Sequence, residues 1–161
     1  MFPLRCIELR KMDLESFLRG RGIWYRLLNK SPTIHTADAS KVTGIPLNRI
    51  TKSLVFKVDG KPILAVIPGN AKVDVHKLAA VLGVKKVKLA SFEEAEELSG
   101  YPPGGTPPVH HAKIGRVVFD VRLTSFETIY GGGGARDKLV ELRVEDVLKL
   151  TRSLVADISK V

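Results

Sequence analysis

Apolar residues recur along this chain in two rhythms, one every three to four positions and one in alternating or short unbroken runs, and the two rhythms take turns. Residues 13–19, DLESFLR, set Leu14, Phe17 and Leu18 on one face behind Asp13 at a capping position, with Gly20 and Gly22 to stop the helix. IWYRLLN, 23–29, predicts a strand of branched and aromatic residues. Thr36 is placed to cap a helix over ADASKVT that Gly44 closes and Pro46 prevents from continuing. Two apolar runs, 53–58 and 62–67, flank Asp59-Gly60, the dipeptide a tight type I′ turn prefers, and predict a hairpin. Asp74 precedes VHKLAAVL, whose Val75, Leu78, Ala79 and Leu82 share a face before Gly83. VKKVKLA, 84–90, predicts a strand, and Ser91 with Glu94 has capping-box spacing at the head of a helix that ends at Gly100. Further on, RVVFDV and FETIY predict two strands, followed by four glycines, a strand LVELRV, a helix EDVLKLT and a short strand LVADI. Helices and strands interleave, so the expectation is an α/β chain with a mixed sheet and helices packed on it. There is no internal repeat and no linker, and a length of 161 residues fits a single domain over 1–161.

Composition narrows the partner class. The formal charge is +9, spread through the chain, which favours a polyanionic partner and nucleic acid before membrane. No apolar run approaches the roughly 20 residues of a membrane span. The first residues, MFPLRCIELRKMD, carry charges where a signal peptide needs an apolar core, and Cys6 is the single cysteine, so an intracellular, cytoplasmic protein without disulfides is expected. Gln is absent and Asn scarce beside abundant Lys, Arg and Glu, a bias of proteins that work at high temperature.

Several chemistries are excluded by what is missing. No G-x-x-x-x-G-K-[ST] is present, so P-loop nucleotide hydrolysis is out. No G-x-S-x-G elbow marks a serine nucleophile. His110 and His111 are adjacent and have no acidic cluster nearby in sequence, so no metal and no cofactor is expected. Lys52 stands immediately before an apolar run, on one strand face with Leu54 and Phe56. It is either a solvated strand-end lysine or a cation in a cleft, and spacing leaves both open. The segment GYPPGGTPPVHH, 100–111, holds four prolines and three glycines and is longer and stiffer than a turn requires.

The order of residues from Ile23 onward resembles the YbaK and prolyl-tRNA-synthetase editing-domain family. The residues that carry it are Gly44, Lys52-Ser53-Leu54-Val55-Phe56, Pro68-Gly69, Asp74 with Lys77-Leu78, Leu82-Gly83, Lys85-Lys86-Val87 and Gly100-Tyr101 leading to Gly104-Gly105. The likeness continues through IYGGGGARDKLVEL to VADI. It implies a mixed, partly closed β-sheet with surrounding helices, and a free-standing deacylase that hydrolyses the ester of a mischarged aminoacyl-tRNA. Its partners would be tRNA and an aminoacyl-tRNA synthetase, with a small amino acid, on tRNA-Pro for example, as the group removed. The resemblance implies catalytic roles for Lys52, Gly104 and Gly105, the lysine beside the terminal adenosine and its phosphate and the glycines lining the aminoacyl pocket with backbone. It implies substrate contacts for Thr36, Ser53, Thr106, Pro107, Pro108, His110, Gly132, Gly133 and Gly134. Hydrolysis in this family is held to need no metal, the substrate's own ribose hydroxyl assisting.

An aminoacyl ester is already activated, so such a site needs a placed water, donors for the oxyanion and a wall rigid enough to sieve side chains. The chain departs from the family pattern at three places. Pro107 replaces a hydroxyl residue, His110 replaces a glycine, and Leu139 stands where the bacterial YbaK branch has an aspartate. A non-catalytic tRNA- or RNA-binding accessory module is therefore the second expectation. General single-strand binding by base stacking is disfavoured by an aromatic content of 6%.

Overall fold

The computed structural model describes residues 13–161; Cys6 and the charged N-terminal stretch lie outside the described residues. Helix α1, Leu14–Gly20, opens with the Asp13 carboxylate accepting from Ser16 N at 2.7 Å. Strand β1, Tyr25–Asn29, leads to α2, Thr36–Thr43, and a 3-10 turn, Leu47–Arg49, precedes β2, Thr51–Val58, and β3, Lys61–Pro68. Then come β4, Lys72–Val73, α3, Val75–Leu82, β5, Lys88–Leu89, and α4, Phe92–Ser99. After the Pro/Gly segment follow β6, Val117–Asp120, a second 3-10 turn, Val121–Ser125, β7, Thr128–Gly132, and β8, Lys138–Arg143. The chain ends with α5, Val144–Thr151, β9, Leu154–Ala156, and β10, Ser159–Lys160.

Local chemistry explains most of these boundaries. Asp59 and Gly60 both take positive φ, 49° and 77°, as a type I′ turn demands, and β2 and β3 pair in register from Thr51↔Pro68 to Val58↔Lys61. Asp74 caps α3 by accepting from His76 N and Lys77 N, Ser91 and Glu94 form the capping box of α4, and Gly83 and Gly100 close these helices in the left-handed conformation.

The strands divide into a five-stranded mixed sheet, β5-β2-β3-β6-β9, a three-stranded antiparallel sheet, β1-β8-β7, and the pair β10-β4. The five-stranded sheet is mixed as expected, and the two larger sheets touch through a parallel bridge, Ile50↔Tyr130, where β2 begins. The main core fills the space under this junction. Leu64, Val66, Val117 and Phe119 from the five-stranded sheet meet Ile129, Val140 and Leu142 from the other, with Leu18 of α1 and Val147 of α5 closing the sides. The opposite face of β2 and β3 puts Phe56, Ala65 and Ile67 against Leu78 of α3. One hairpin thus separates two cores, which is why its β3 half is an almost continuous apolar run.

Four local expectations need correction. Thr36 does not cap α2: His35 occupies the capping position with no side-chain bond, and the Thr36 hydroxyl donates to Gly69 O at 3.1 Å. Val75 is 42% exposed at the first position of α3, outside the packed face. Only Lys88 and Leu89 of the expected strand 84–90 pair, since β2 offers them partners at Lys57 and Phe56 alone. Gly131 and Gly132 belong to β7, paired with Val140 and Leu139, and are not an interruption after it.

Candidate functional site

A cleft of about 430 Å³ opens beside the first half of β2, between the β1–α2 connection, α4 and the Pro/Gly segment. Most of its wall is apolar, from Ile34, Leu54, Val55, Ala90, Ala95 and Leu139. Its mouth carries large exposed apolar side chains: Ile34 is 43% exposed, Leu89 56% and Phe92 63%.

Lys52 borders this cleft. Its Nζ donates to Ala71 O at 2.9 Å, just past the end of β3. Burial, joined by the positive charge of Lys72, pulls its pKa below the usual lysine range. Lys30, which the sequence did not single out, lines the same cleft with its Nζ on Thr33 Oγ1 at 2.6 Å and Arg136 O at 2.5 Å. Burial lowers its pKa too.

The wall opposite Lys52 is built by the Pro/Gly segment. Gly105 N donates to Pro102 O at 2.8 Å around Pro103 and Gly104, and Gly104 has φ +87°. Proline at the second and a positive-φ glycine at the third position define a type II turn. A Cβ on Gly104 would lie 2.6 Å from Thr33 O and 2.7 Å from Ile34 Cα, so only glycine lets the wall close on the β1–α2 connection. Gly105 itself is buried, its amide used by the turn, and it does not line the cleft. Gly104 N and Thr106 N make no hydrogen bond within the described residues.

The run of glycines in β7 explains how the wall is held. A Cβ on Gly131 would meet Pro108 Cδ at 2.5 Å, and one on Gly132 would meet the Gly105 carbonyl carbon at 2.5 Å. Gly134 N donates to Gly105 O at 2.9 Å. The two glycine-rich segments therefore lie against each other, main chain on main chain at Gly132 and with only the Pro108 ring between them at Gly131. Arg136 Nε adds a bond to Pro103 O at 2.9 Å.

Behind the wall, His111 Nε2 donates to Pro107 O at 2.7 Å, and burial pushes the imidazole pKa down to about 4, so the ring is neutral at pH 7. His110 takes φ +63°, which accounts for the glycine that the family pattern carries there. Its ring stacks on Phe17 at 4.3 Å, and its Nδ1 lies 2.8 Å from the Tyr101 hydroxyl. Tyr101 lines the cleft, and its pKa is raised by burial.

Of the residues expected to act together, Lys52, Gly104, Thr36, Ser53, Thr106 and Gly132 line one cleft. Gly105, Pro107, Pro108, His110, Gly133 and Gly134 do not line it; they lie behind or beside the wall. Leu139, at the position of the missing aspartate, is buried in the lining beside Ile50 and Tyr130. Among the described residues no three His, Cys, Asp or Glu side chains gather where they could hold a metal ion. No helix of the described residues is long and apolar enough to cross a membrane.

Residues 31–150 match the family described as the aminoacyl-tRNA editing domain. The chain belongs to that family. It is 36% identical over 118 residues to EbsC of Enterococcus faecalis, provisionally named a Cys-tRNA(Pro)/Cys-tRNA(Cys) deacylase, covering 72% of this chain and 71% of that protein. It is 28% identical over 144 residues to the multifunctional Ser/Thr-tRNA deacylase ProXp-y of Escherichia coli K12, covering 86% of each. A crystal structure provisionally described as a trans-editing enzyme for prolyl-tRNA synthetase superposes with a TM-score of 0.80 at 26% identity, over 100% of this chain and 99% of that one. The fold is that of these editing domains.

Proposed function

We propose that this protein is a deacylase acting in trans, which hydrolyses the ester between a small amino acid and the terminal ribose of a mischarged tRNA. The observation that carries the reading is the convergence of Lys52, Ser53, Gly104 and Thr106 on one cleft of about 430 Å³, room for a small acyl group and part of a nucleoside. The exposed Ile34, Leu89 and Phe92 at the mouth suit an unpaired base, which gains by lying on apolar and aromatic faces. In this reading Lys52 is the cation that meets the phosphate beside that base, and the overall charge of +9 draws the polyanion in.

In the reaction, water adds to the ester carbonyl carbon, the carbonyl oxygen takes the negative charge, and the carbon–oxygen bond to the ribose breaks as that oxygen gains a proton. The amides of Gly104 and Thr106, unbonded within the described residues, are main-chain donors this reading gives to the oxyanion. The lining holds no carboxylate, and its one imidazole, His35, is at the exposed mouth. As the family resemblance implies, the ribose hydroxyl next to the ester assists the proton transfer, and in this reading the protein's part is placement. The reading includes action in the cytoplasm, alongside an aminoacyl-tRNA synthetase.

The test is ester half-life for tRNA-Pro charged with Ala, Cys or Ser, with and without protein. Faster loss of at least one ester is expected. Half-lives equal to buffer across the panel overturn the reading, and salt-dependent tRNA binding without hydrolysis would leave the accessory RNA-binding module in its place.

A further inference from the structure

The polar atoms on the cleft wall are nearly all spoken for within the protein. The Thr36 hydroxyl donates to Gly69 O, Thr51 to Tyr130 O at 3.1 Å and Thr106 to Pro102 O at 3.4 Å. The Thr33 hydroxyl holds the Lys30 ammonium, and the Tyr101 hydroxyl lies on His110. Ser53 differs: its Oγ is buried and, among the described residues, has no hydrogen-bond partner. Buried polar atoms in folded proteins are satisfied as a rule, so an orphan hydroxyl on a ligand cleft needs an explanation.

Its position supplies one. The side chains of Thr51, Ser53 and Val55 share the face of β2 turned toward the main core, with Val66, the register partner of Ser53, fully buried there. Ser53 thus lines the cleft from its core-facing side, as do Val55, Ala90 and Ala95, whereas Lys52 borders the same cleft from the other face of the strand. The main chain points the same way. The two-residue turn makes Val58 and Lys61 a hydrogen-bonded pair, so the amides and carbonyls of residues 52, 54, 56 and 58 face β3 and those of 51, 53, 55 and 57 face the other edge. Ala90 N donating to Val55 O at 2.9 Å fits this alternation. Strand β5 pairs only with Phe56 and Lys57, which leaves the edge at Ser53 to the cleft.

We propose that Ser53 is a specificity-determining residue, whose hydroxyl bonds a hydroxyl or thiol on the side chain of the edited amino acid. This rests on the deacylase reading and narrows it: the preferred acyl groups are seryl and cysteinyl, and alanyl, which leaves the Ser53 hydroxyl unmet, is a poorer substrate. A site built to hydrogen-bond a substrate group selects against the analogue that lacks it more sharply than an apolar pocket selects by size.

The experiment compares kcat/KM on tRNA-Pro charged with Ser, Cys or Ala for the wild type, Ser53→Ala and Ser53→Thr. The wild type favours Ser and Cys over Ala. Ser53→Ala loses about tenfold on Ser and leaves Ala unchanged or faster, the size of one hydrogen bond to a buried group. Ser53→Thr, which keeps the hydroxyl, retains preference for Ser over Ala. A wild type that favours Ala, a Ser-to-Ala ratio unchanged in Ser53→Ala, or an equal loss on all three esters overturns the proposal, the last because it places the hydroxyl on the shared ribose or on the fold. No hydrolysis of any ester by the wild type instead removes the deacylase reading itself. Should Ser53→Ala fail to fold, Ser53→Cys is read by the same ratio: selective loss on Ser supports the proposal and equal loss overturns it.

Discussion

Two polar regions flank the five-stranded sheet, and they handle buried polar atoms in opposite ways. At the C-terminal end of β6 the Asp120 carboxylate is fully enclosed and completely engaged. It accepts from Arg122 N at 2.9 Å, from Ile158 N at 3.1 Å and from the Arg122 guanidinium. Arg122 continues to Asp157 at 2.6 Å and Ser159 Oγ at 3.1 Å, and Lys77 of α3 reaches Asp157 and Ser159 O. That cluster ties the chain's last strand to the second core. At the free edge of β2 the reverse holds: Ser53 Oγ is buried and unmet, and Gly104 N and Thr106 N are unbonded within the described residues. A polar cluster with every partner present is architecture, whereas one with bonds left over in a cleft is kept for something that arrives.

The comparison can be broken first at Asp120. Asp120→Ala leaves the Ile158 and Arg122 amides without their acceptor while Arg122 keeps Asp157, and a destabilisation of about 3 kcal/mol is expected by chemical denaturation. The folded fraction keeps its deacylation rate per molecule; a selective loss of activity at unchanged stability would erase the distinction between the two regions.

A smaller effect comes from His111, which holds the wall through Pro107. Its folded pKa of about 4 lies below the ordinary histidine value of 6.5. The fold favours the neutral ring, so this contribution is complete above about pH 6.5 and is lost as pH falls from there through about 4. The loss at pH 4 is on the order of 2 kcal/mol, the ring being partly solvent-accessible. His111→Gln, which keeps a donor for Pro107 O without titrating, flattens the stability profile over that window. A profile identical to that of the wild type would show that the ring does not titrate differently in the fold.

The smallest change sharpens the cleft side. Lys52→Ala lowers kcat/KM about tenfold for every ester tested, since a phosphate contact is shared by all of them and amounts to ~1.4 kcal/mol at a partly exposed site. Lys85→Ala, at an exposed position away from the cleft, leaves it unchanged. Equal effects of the two substitutions would reduce Lys52 to general surface charge.

Much of the fold could be read from local chemistry. The Asp59-Gly60 hairpin, the caps at Asp13, Asp74 and Ser91 and the glycine stops at Gly44, Gly83 and Gly100 all depend on residues within one turn of each other. What escaped depends on distant partners. Strands β4 and β10 are two residues each and exist because Val73 meets Ser159, and the Thr36 hydroxyl is drawn from its capping role by Gly69. The site followed the same division. Spacing alone left Lys52 open, and it was the family resemblance that set it beside Gly104, with which it lines one cleft. Lys30, Tyr101 and the orphan state of Ser53 were not legible, because each is defined by what the other side chains of the cleft have already bonded. One signal was available for the glycine run: four bare residues at 131–134 imply a close approach of main chain, which Gly131 and Gly132 give to the loop and Gly133 to Lys138.

That close contact between residues 105–108 and 131–132 also fixes how this domain can change over evolutionary time. Side chains that point from the loop into the cleft lie outside this contact, so exchanging them leaves it in place. The length of the glycine tract is not free. Adding or deleting one residue there would shift β8 by a step against β7 and lift the loop off its seat in the same stroke, so relatives with altered amino-acid preference should differ in the loop's letters and agree in the tract's count.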